Sequence, residues 1–330
     1  MATACYLYSK FNYDFNDLDT RRSEHGIANA ASIFLILGVP GLVYALWSGF
    51  GLQGRAGTVC RQILRSATIV TGLVLGVWGF WAEPASLQVS EHRLTVANWP
   101  RSCDGLRIAV LADLHIGSPH NGLGRLREVV DRTNAAGADL ILLAGDYVIQ
   151  GVLGGEFVPP EQTAEILRDL KAPAGVFAVL GNHDRMLGAT RVKLALEQQL
   201  IPVLEDVGVE LRHGECRLNL VGVSDFWEGP HDVKKALATV AASLPAMVFT
   251  HNPDLFPEIP PAVVFTIAGH THGGQVCLPG IGRPVVPSQY GQRYSAGFIQ
   301  ESGKHMYVST GIGTSILPVR FRVPPEITVL

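Results

Sequence analysis

Apolar positions fall in two different patterns along the chain. In the N-terminal quarter they form long unbroken runs: no charged side chain stands between His25 and Arg55, and residues 27–52 are rich in Ile, Leu, Val, Phe, Ala and Trp. A bilayer core of about 30 Å takes about 20 apolar residues of helix, so this run is long enough to span one. Pro40 beside Gly41 would kink such a helix without forbidding it. A second uncharged run, 66–82, ends in Trp78 and Trp81, whose indoles suit a headgroup boundary. The pattern predicts two transmembrane helices forming a membrane anchor over 26–83, behind a polar tail over 1–25. That tail, and the lack of a small-x-small cleavage site, argue against a cleaved signal peptide. Gly72 and Gly76, four apart, would let two such helices approach closely.

From residue 107 onward the apolar runs are short and alternate with amphipathic stretches. Strands are expected over 107–112, 139–144, 176–180, 246–250 and 263–268, each stopping at Gly, Asp or His. Helices are expected over 123–136 and 162–170, and a hairpin over 209–213 and 217–223 around Gly214. Strand-helix-strand alternation predicts an α/β sheet with right-handed crossovers. Residues 84–330 are therefore read as one catalytic domain.

Composition narrows this picture. Of 330 residues 47% are hydrophobic, the formal net charge is -3, and no run of Lys and Arg is interleaved with aromatics, so nucleic acid is not an expected partner. The five cysteines are scattered with no CxxC spacing, which predicts reduced structural thiols rather than disulfides or a zinc ribbon. Two spans would put the tail and the domain on one side of the membrane. Arg55, Arg61 and Arg65 between the runs oppose Lys10, Arg21, Arg22, Arg93 and Arg101 on the other side, so the positive-inside rule leaves the side open. A cytoplasmic domain is the working expectation.

The chemistry lies at the strand ends. Asp113 and His115 follow the first strand, Gly145 and Asp146 the second, and Gly181, Asn182, His183 and Asp184 the third. His251 and Asn252 follow the fourth, and Gly269, His270, Thr271 and His272 the fifth. Carboxyl ends of parallel strands open onto one crevice, where groups distant in sequence converge. An Asp after a strand is by itself more often a helix cap and a lone His a satisfied core group; five such clusters together indicate a metal site. Asp, His and Asn side chains suit divalent Mn, Fe or Zn, and one Asp can bridge two ions through its two oxygens. Asp113, His115, Asp146, Asn182, His251, His270 and His272 supply the seven donors that a pair of divalent ions needs.

The ordered series Asp113-Leu114-His115, Gly145-Asp146, Gly181-Asn182-His183-Asp184, His251 and Gly269-His270-Thr271-His272 resembles the calcineurin-like metallophosphoesterases. The stretches Gly273-Gly274-Gln275, Tyr290 to Tyr294, Gly311 to Ser315 and Pro318 to Phe321 look like its bacterial membrane-associated phosphodiesterase branch, the YaeI and YkuE type. The resemblance implies a four-layer αββα sandwich and a two-metal centre. One ion would take Asp113, His115, His272 and a shared Asp146; the other would take Asp146, Asn182, His251 and His270. It further implies a phosphodiesterase or pyrophosphatase at the bacterial inner membrane, working by attack of a metal-bridging hydroxide on phosphorus. A phosphate ester is the expected substrate, with a lipid-linked one such as UDP-diacylglucosamine among the candidates. His183 would protonate the leaving oxygen and Asp184 orient its ring. A phosphomonoesterase, a phosphoprotein phosphatase or a non-catalytic scaffold of the same fold remain alternatives. Purple acid phosphatases carry a tyrosine ligand three residues after the bridging Asp; Ile149 stands there, so iron-tyrosinate chemistry is not expected. Arg320 is a candidate substrate contact or a surface ion pair, and Gly311 to Thr314 a candidate phosphate-approaching turn. His120 and Cys277 are read as loop and packing residues.

Overall fold

The computed structural model describes residues 55–330. The tail and the first apolar run lie outside the described residues. Helix α1, Arg55–Val77, continues through a π-helical turn, Trp78–Ala82. Within it, Gly57–Ala82 is 26 residues long, apolar enough to cross a membrane, and 6% buried in its most apolar stretch. The expected second run therefore begins earlier than residue 66. Arg61 and Arg65, expected in a connecting loop, sit on the helix instead.

The body is built on two sheets. In the first, β1 (Gln88–Glu91), β11 (Glu326–Val329), β2 (Ile108–Leu111), β3 (Leu140–Leu143) and β4 (Val176–Ala178) lie side by side in that order. The second runs β5 (Val207–His213), β6 (Cys216–Val223), β7 (Ala246–Thr250), β8 (Val263–Ala268), β10 (Lys304–Val308) and β9 (Gly297–Glu301). Both are mixed: β2, β3 and β4 are parallel, as are β6, β7, β8 and β10, while β11, β5 and β9 each pair antiparallel with a neighbour.

Strand side chains alternate between faces, and here both faces are apolar because both are covered. Ala109, Leu111, Ile141 and Leu143 face helices α2 (Leu123–Ala135), α3 (Pro160–Leu167) and α4 (Asn182–Glu197), through Leu126, Val129, Ala164, Leu167 and Val192. Ile108, Val110, Leu140 and Leu142 face the second sheet, where they meet Leu218, Leu220, Met247, Phe249 and Ile267. The outer face of the second sheet, through Val221, Val248 and Val308, packs on Val233 and Ala236 of α5 (Val233–Ala238) and on Leu255 and Phe256. Helix, sheet, sheet and helix make the four layers the resemblance implies.

The expectation of reduced thiols fails. Cys103 and Cys216, both buried, form a disulfide across 113 residues of sequence. It ties the turn before β2 to the first residue of β6, between the sheets. Scattered spacing hid the pair, because the two sheets bring distant turns together. Cys60 and Cys277 are free among the described residues.

Candidate metal centre

All five chemical clusters lie just past the C-terminal ends of β2, β3, β4, β7 and β8, and the two facing sheets bring these ends to one place. The backbone bends sharply there. Asp113, His115, Asp146, His270 and His272 adopt left-handed φ of 53°, 40°, 57°, 70° and 50°. Each such non-glycine residue costs about 1–3 kcal/mol, so the side chain is kept against the preference of the turn. Glycine serves where the chain itself must come close: a Cβ on Gly181 would lie 2.1 Å from Asp146 Oδ1.

The donors form two groups around Asp146, and a third set overlaps them. Asp113, His115 and His272 make one group and Asp146, His251 and His270 the other, while His115, Asp146 and His183 also come together, with the candidate ligand atoms of each set within 4.8 Å of one another. Asn182 joins the second through Oδ1, 3.1 Å from His251 Nε2. Asp146 Oδ2 lies 3.5 Å from His115 Nε2 and 3.3 Å from His251 Nε2. Its other oxygen accepts the backbone N–H of His183 at 2.9 Å. One Asp146 oxygen therefore faces both groups.

Hydrogen bonding fixes the imidazole tautomers. Nδ1 of His115 is 3.1 Å from the Val148 carbonyl and Nδ1 of His251 is 2.7 Å from that of Ala144. A carbonyl only accepts, so both rings carry hydrogen on Nδ1 and, when neutral, present a lone pair at Nε2. Those lone pairs face other imidazole nitrogens, which can also serve as acceptors: His115 Nε2 is 3.1 Å from His272 Nε2, and His251 Nε2 is 3.1 Å from His270 Nδ1. Acceptors converging in a buried space are unfavourable until a cation or a proton sits among them. The residues present fit two divalent ions.

Without such ions, protons carry this load unevenly. Burial pushes Asp113 up to about 7 and His115 down to about 3. His251 behaves oppositely: burial disfavours its charge, yet the carboxylates of Asp146, Asp113 and Asp225 outweigh this and lift it to about 10. For Asp146 burial is likewise overcome, chiefly by His251 and His183, which hold it well below the usual carboxylate range.

His183 is the second residue of α4, with Nε2 4.0 Å from Asp146 Oδ2 and its ring edge-on to His115 at 4.7 Å. The Asp184 carboxylate caps the N-terminus of α4 by accepting the N–H of its N-cap residue Gly181, and its other hydrogen bonds go to backbone rather than to that ring. Asp184 is fully buried, and its carboxylate accepts the backbone N–H groups of Asp146, Tyr147 and Gly181 at 2.8, 2.9 and 2.9 Å, holding the turn that presents Asp146. Tyr147 turns away, donating to the carbonyls of Leu143 and Val179.

Arg320 is also corrected. It is completely buried and donates to the carbonyls of Thr310, Gly311, Gly313 and Val323, so it is neither a surface ion pair nor open to substrate. The Gly311 to Thr314 turn serves packing as well: Ile312 and Gly313 donate their N–H groups to the carbonyls of Ala112 and Asp113. Two residues escaped the sequence reading. Trp227 lies edge-on to His270, centroids 4.3 Å apart, and buried Asp225 accepts the Trp227 and Glu228 N–H groups. Asp225 follows the end of β6, so the strand-end rule that found the others would have found it.

Sandwich and donors together define a class, the metal-dependent phosphoester hydrolases. A family description agrees: residues 106–274, more than half the chain, match the calcineurin-like phosphoesterase family, and the chain belongs to it. It is 31% identical over 278 residues to phosphodiesterase YaeI of Escherichia coli, covering 82% of this chain and 97% of that one. Against the Bacillus subtilis metallophosphoesterase YkuE the identity is 30%, covering 77% and 89%. With the UDP-2,3-diacylglucosamine pyrophosphatase LpxG of Chlamydia trachomatis it is 27%, covering 80% and 94%.

Proposed function

We propose that this chain is a two-metal phosphodiesterase or pyrophosphatase that works at a membrane surface. The observation that carries the reading is the single Asp146 oxygen facing both donor groups, with two tautomer-fixed imidazoles aimed at it. Asp113, His115, His272 and Asp146 would hold one ion, and Asp146, Asn182, His251 and His270 the other; Mn, Fe and Zn all suit these donors. Such ions, when bound, polarise phosphoryl oxygens and acidify water.

The remaining chemistry belongs to the chain. His183 has 13% of its side chain exposed, against 0% for His115, so its imidazole can reach a substrate. As the P–O bond to the leaving group breaks and water adds to phosphorus, His183 gives the leaving oxygen its proton. Asp184 keeps the Asp146 turn in place. The Gly57–Ala82 helix would tether the domain to the bilayer, where a lipid-linked phosphoester is concentrated, and the likeness to LpxG supports a pyrophosphate of that kind as substrate.

The test uses the full chain in detergent with a chromogenic phosphodiester and Mn. Turnover should vanish on chelation and return with metal. His183→Ala should lower kcat by roughly 10²–10⁴-fold while metal content stays unchanged. Metal binding without turnover would sink the enzymatic reading.

A further inference from the structure

Helix α1 ends against loops that follow the candidate metal donors. The Arg320 N–H donates to the Gly79 carbonyl at 2.9 Å, His120 Nε2 lies 3.2 Å from the Phe80 carbonyl, and the Trp81 ring stands edge-on to His120 at 5.0 Å. Leu75 and Phe80 pack with Leu278, Leu317 and Phe321 around Val276 and Val319. These partners sit on loops that lead away from metal donors. His120 lies on the loop after His115, Val276 and Leu278 on the loop after His272, and Arg320 holds the turn whose Gly311 and Gly313 press on Asp113 and His115. The apolar helix therefore leaves the body at the edge where the donors gather.

The loop after Asp146 lies along the same edge. Its Glu156 N–H donates to the Gly117 carbonyl and its Leu153 N–H to the Ile316 carbonyl, each at 2.9 Å. Loops are ordinarily polar at their tips, yet here Leu153, Phe157 and Ile281 are 45%, 51% and 58% exposed. Arg322, beside Phe321, is exposed as well. By contrast Leu194 and Leu200, also exposed, lie toward and beyond the far end of α4, whose first residue is Asn182.

We propose that this rim is a second membrane contact. Leu153, Phe157 and Ile281 rest in the bilayer interface beside the point where helix α1 enters it, and the metal centre opens next to the lipid surface. What covers the apolar tips is lipid, because the uncovered helix that continues from them is itself long and apolar enough to cross a bilayer. The substrate class that follows is a phosphoester whose apolar portion stays in the membrane while its phosphorus reaches Asp146. This deepens the proposed function and rests on it.

The experiment compares the full chain with a Leu153→Asp, Phe157→Asp, Ile281→Asp triple variant, both in phospholipid nanodiscs. Two esters are offered: a soluble nitrophenyl phosphodiester and one carrying acyl chains that embed it in the disc. The triple variant should keep kcat/KM on the soluble ester within about twofold and lose about tenfold or more on the embedded ester, mostly through KM. Amide hydrogen exchange gives a readout independent of turnover. Segments 150–157 and 278–283 should exchange about fivefold or more faster in the variant, while 198–201 stays unchanged. Equal losses on both esters, or exchange unaltered by the substitutions, would overturn the rim contact. Were neither ester hydrolysed by the unaltered chain, the hydrolase reading would fall while exchange still judged the contact. Loss of the chain from the discs would remove anchor and rim together.

Discussion

The two donor groups beside Asp146 set similar side chains against opposite backgrounds. Behind Asp113, His115 and His272 stands a buried cation, Arg320, whose field lowers the proton affinity of both Asp113 and His272. His251, in the other half, feels the carboxylates of Asp146, Asp113 and Asp225, and its imidazole is drawn upward to about 10. A background that favours a proton on a ring also favours a metal cation there, since both interact with the same charges. The half containing Asn182, His251 and His270 should hold its ion more tightly, and protons should compete more strongly for it. Identity of ligands does not by itself set affinity; the charges behind them do.

That contrast can be broken first at the group the halves share. Asp146→Asn keeps an oxygen to accept the His183 N–H but removes the charge; elemental analysis should find both ions lost and turnover abolished. Retention of one ion would mean that Asp146 serves a single half. The contrast sharpens with pH. Metal must displace a proton from His251 at any pH below about 10, whereas the neighbouring half needs only Asp113 ionised, which is largely complete above about 7. From pH 7 to 9 the second half should gain about tenfold in affinity per pH unit, one proton being released per ion, while the first stays nearly flat. Competitive titration with a metal indicator would resolve the two, and parallel slopes would contradict the asymmetry. A smaller effect is expected from Asp225→Asn, which keeps an acceptor for the Trp227 and Glu228 N–H groups. It should weaken the second ion by roughly 10–100-fold and leave the first within error, as read by the same titration.

The side chains that converge past the strand ends were legible because chemistry forces residue type: few roles but metal binding gather Asp, His and Asn after five separate strands. Strands buried on both faces were legible too, and 246–250 and 263–268 match β7 and β8 residue for residue. Elements with mixed surroundings were not. Edge strand β1 has mostly exposed residues and reads as loop, and β10 begins with Lys304 and His305, which look exposed in sequence. Both are buried, Lys304 because its Nζ donates to the Phe256 carbonyl at 2.7 Å. Helix α4 is broken by Gly188 at φ 135° and shows no clear periodicity. Arg320 and Asp184 were misread for a related reason: their partners are backbone groups, which carry no signature in residue identity.

The Cys103–Cys216 bond makes the robustness of this domain depend on where it resides. Closing 113 residues of chain into a covalent loop restricts the unfolded ensemble by about 4–5 kcal/mol in the entropic account, a large share of the roughly 5–15 kcal/mol that keeps a typical domain folded. Glutathione and thioredoxin keep thiols reduced in a cytosol, so that reinforcement is available in an oxidising space and withdrawn in a reducing one. A copy of this domain facing the cytosol would hold its two sheets together by their apolar interface alone, and the same sequence facing outward would be cross-linked through its centre.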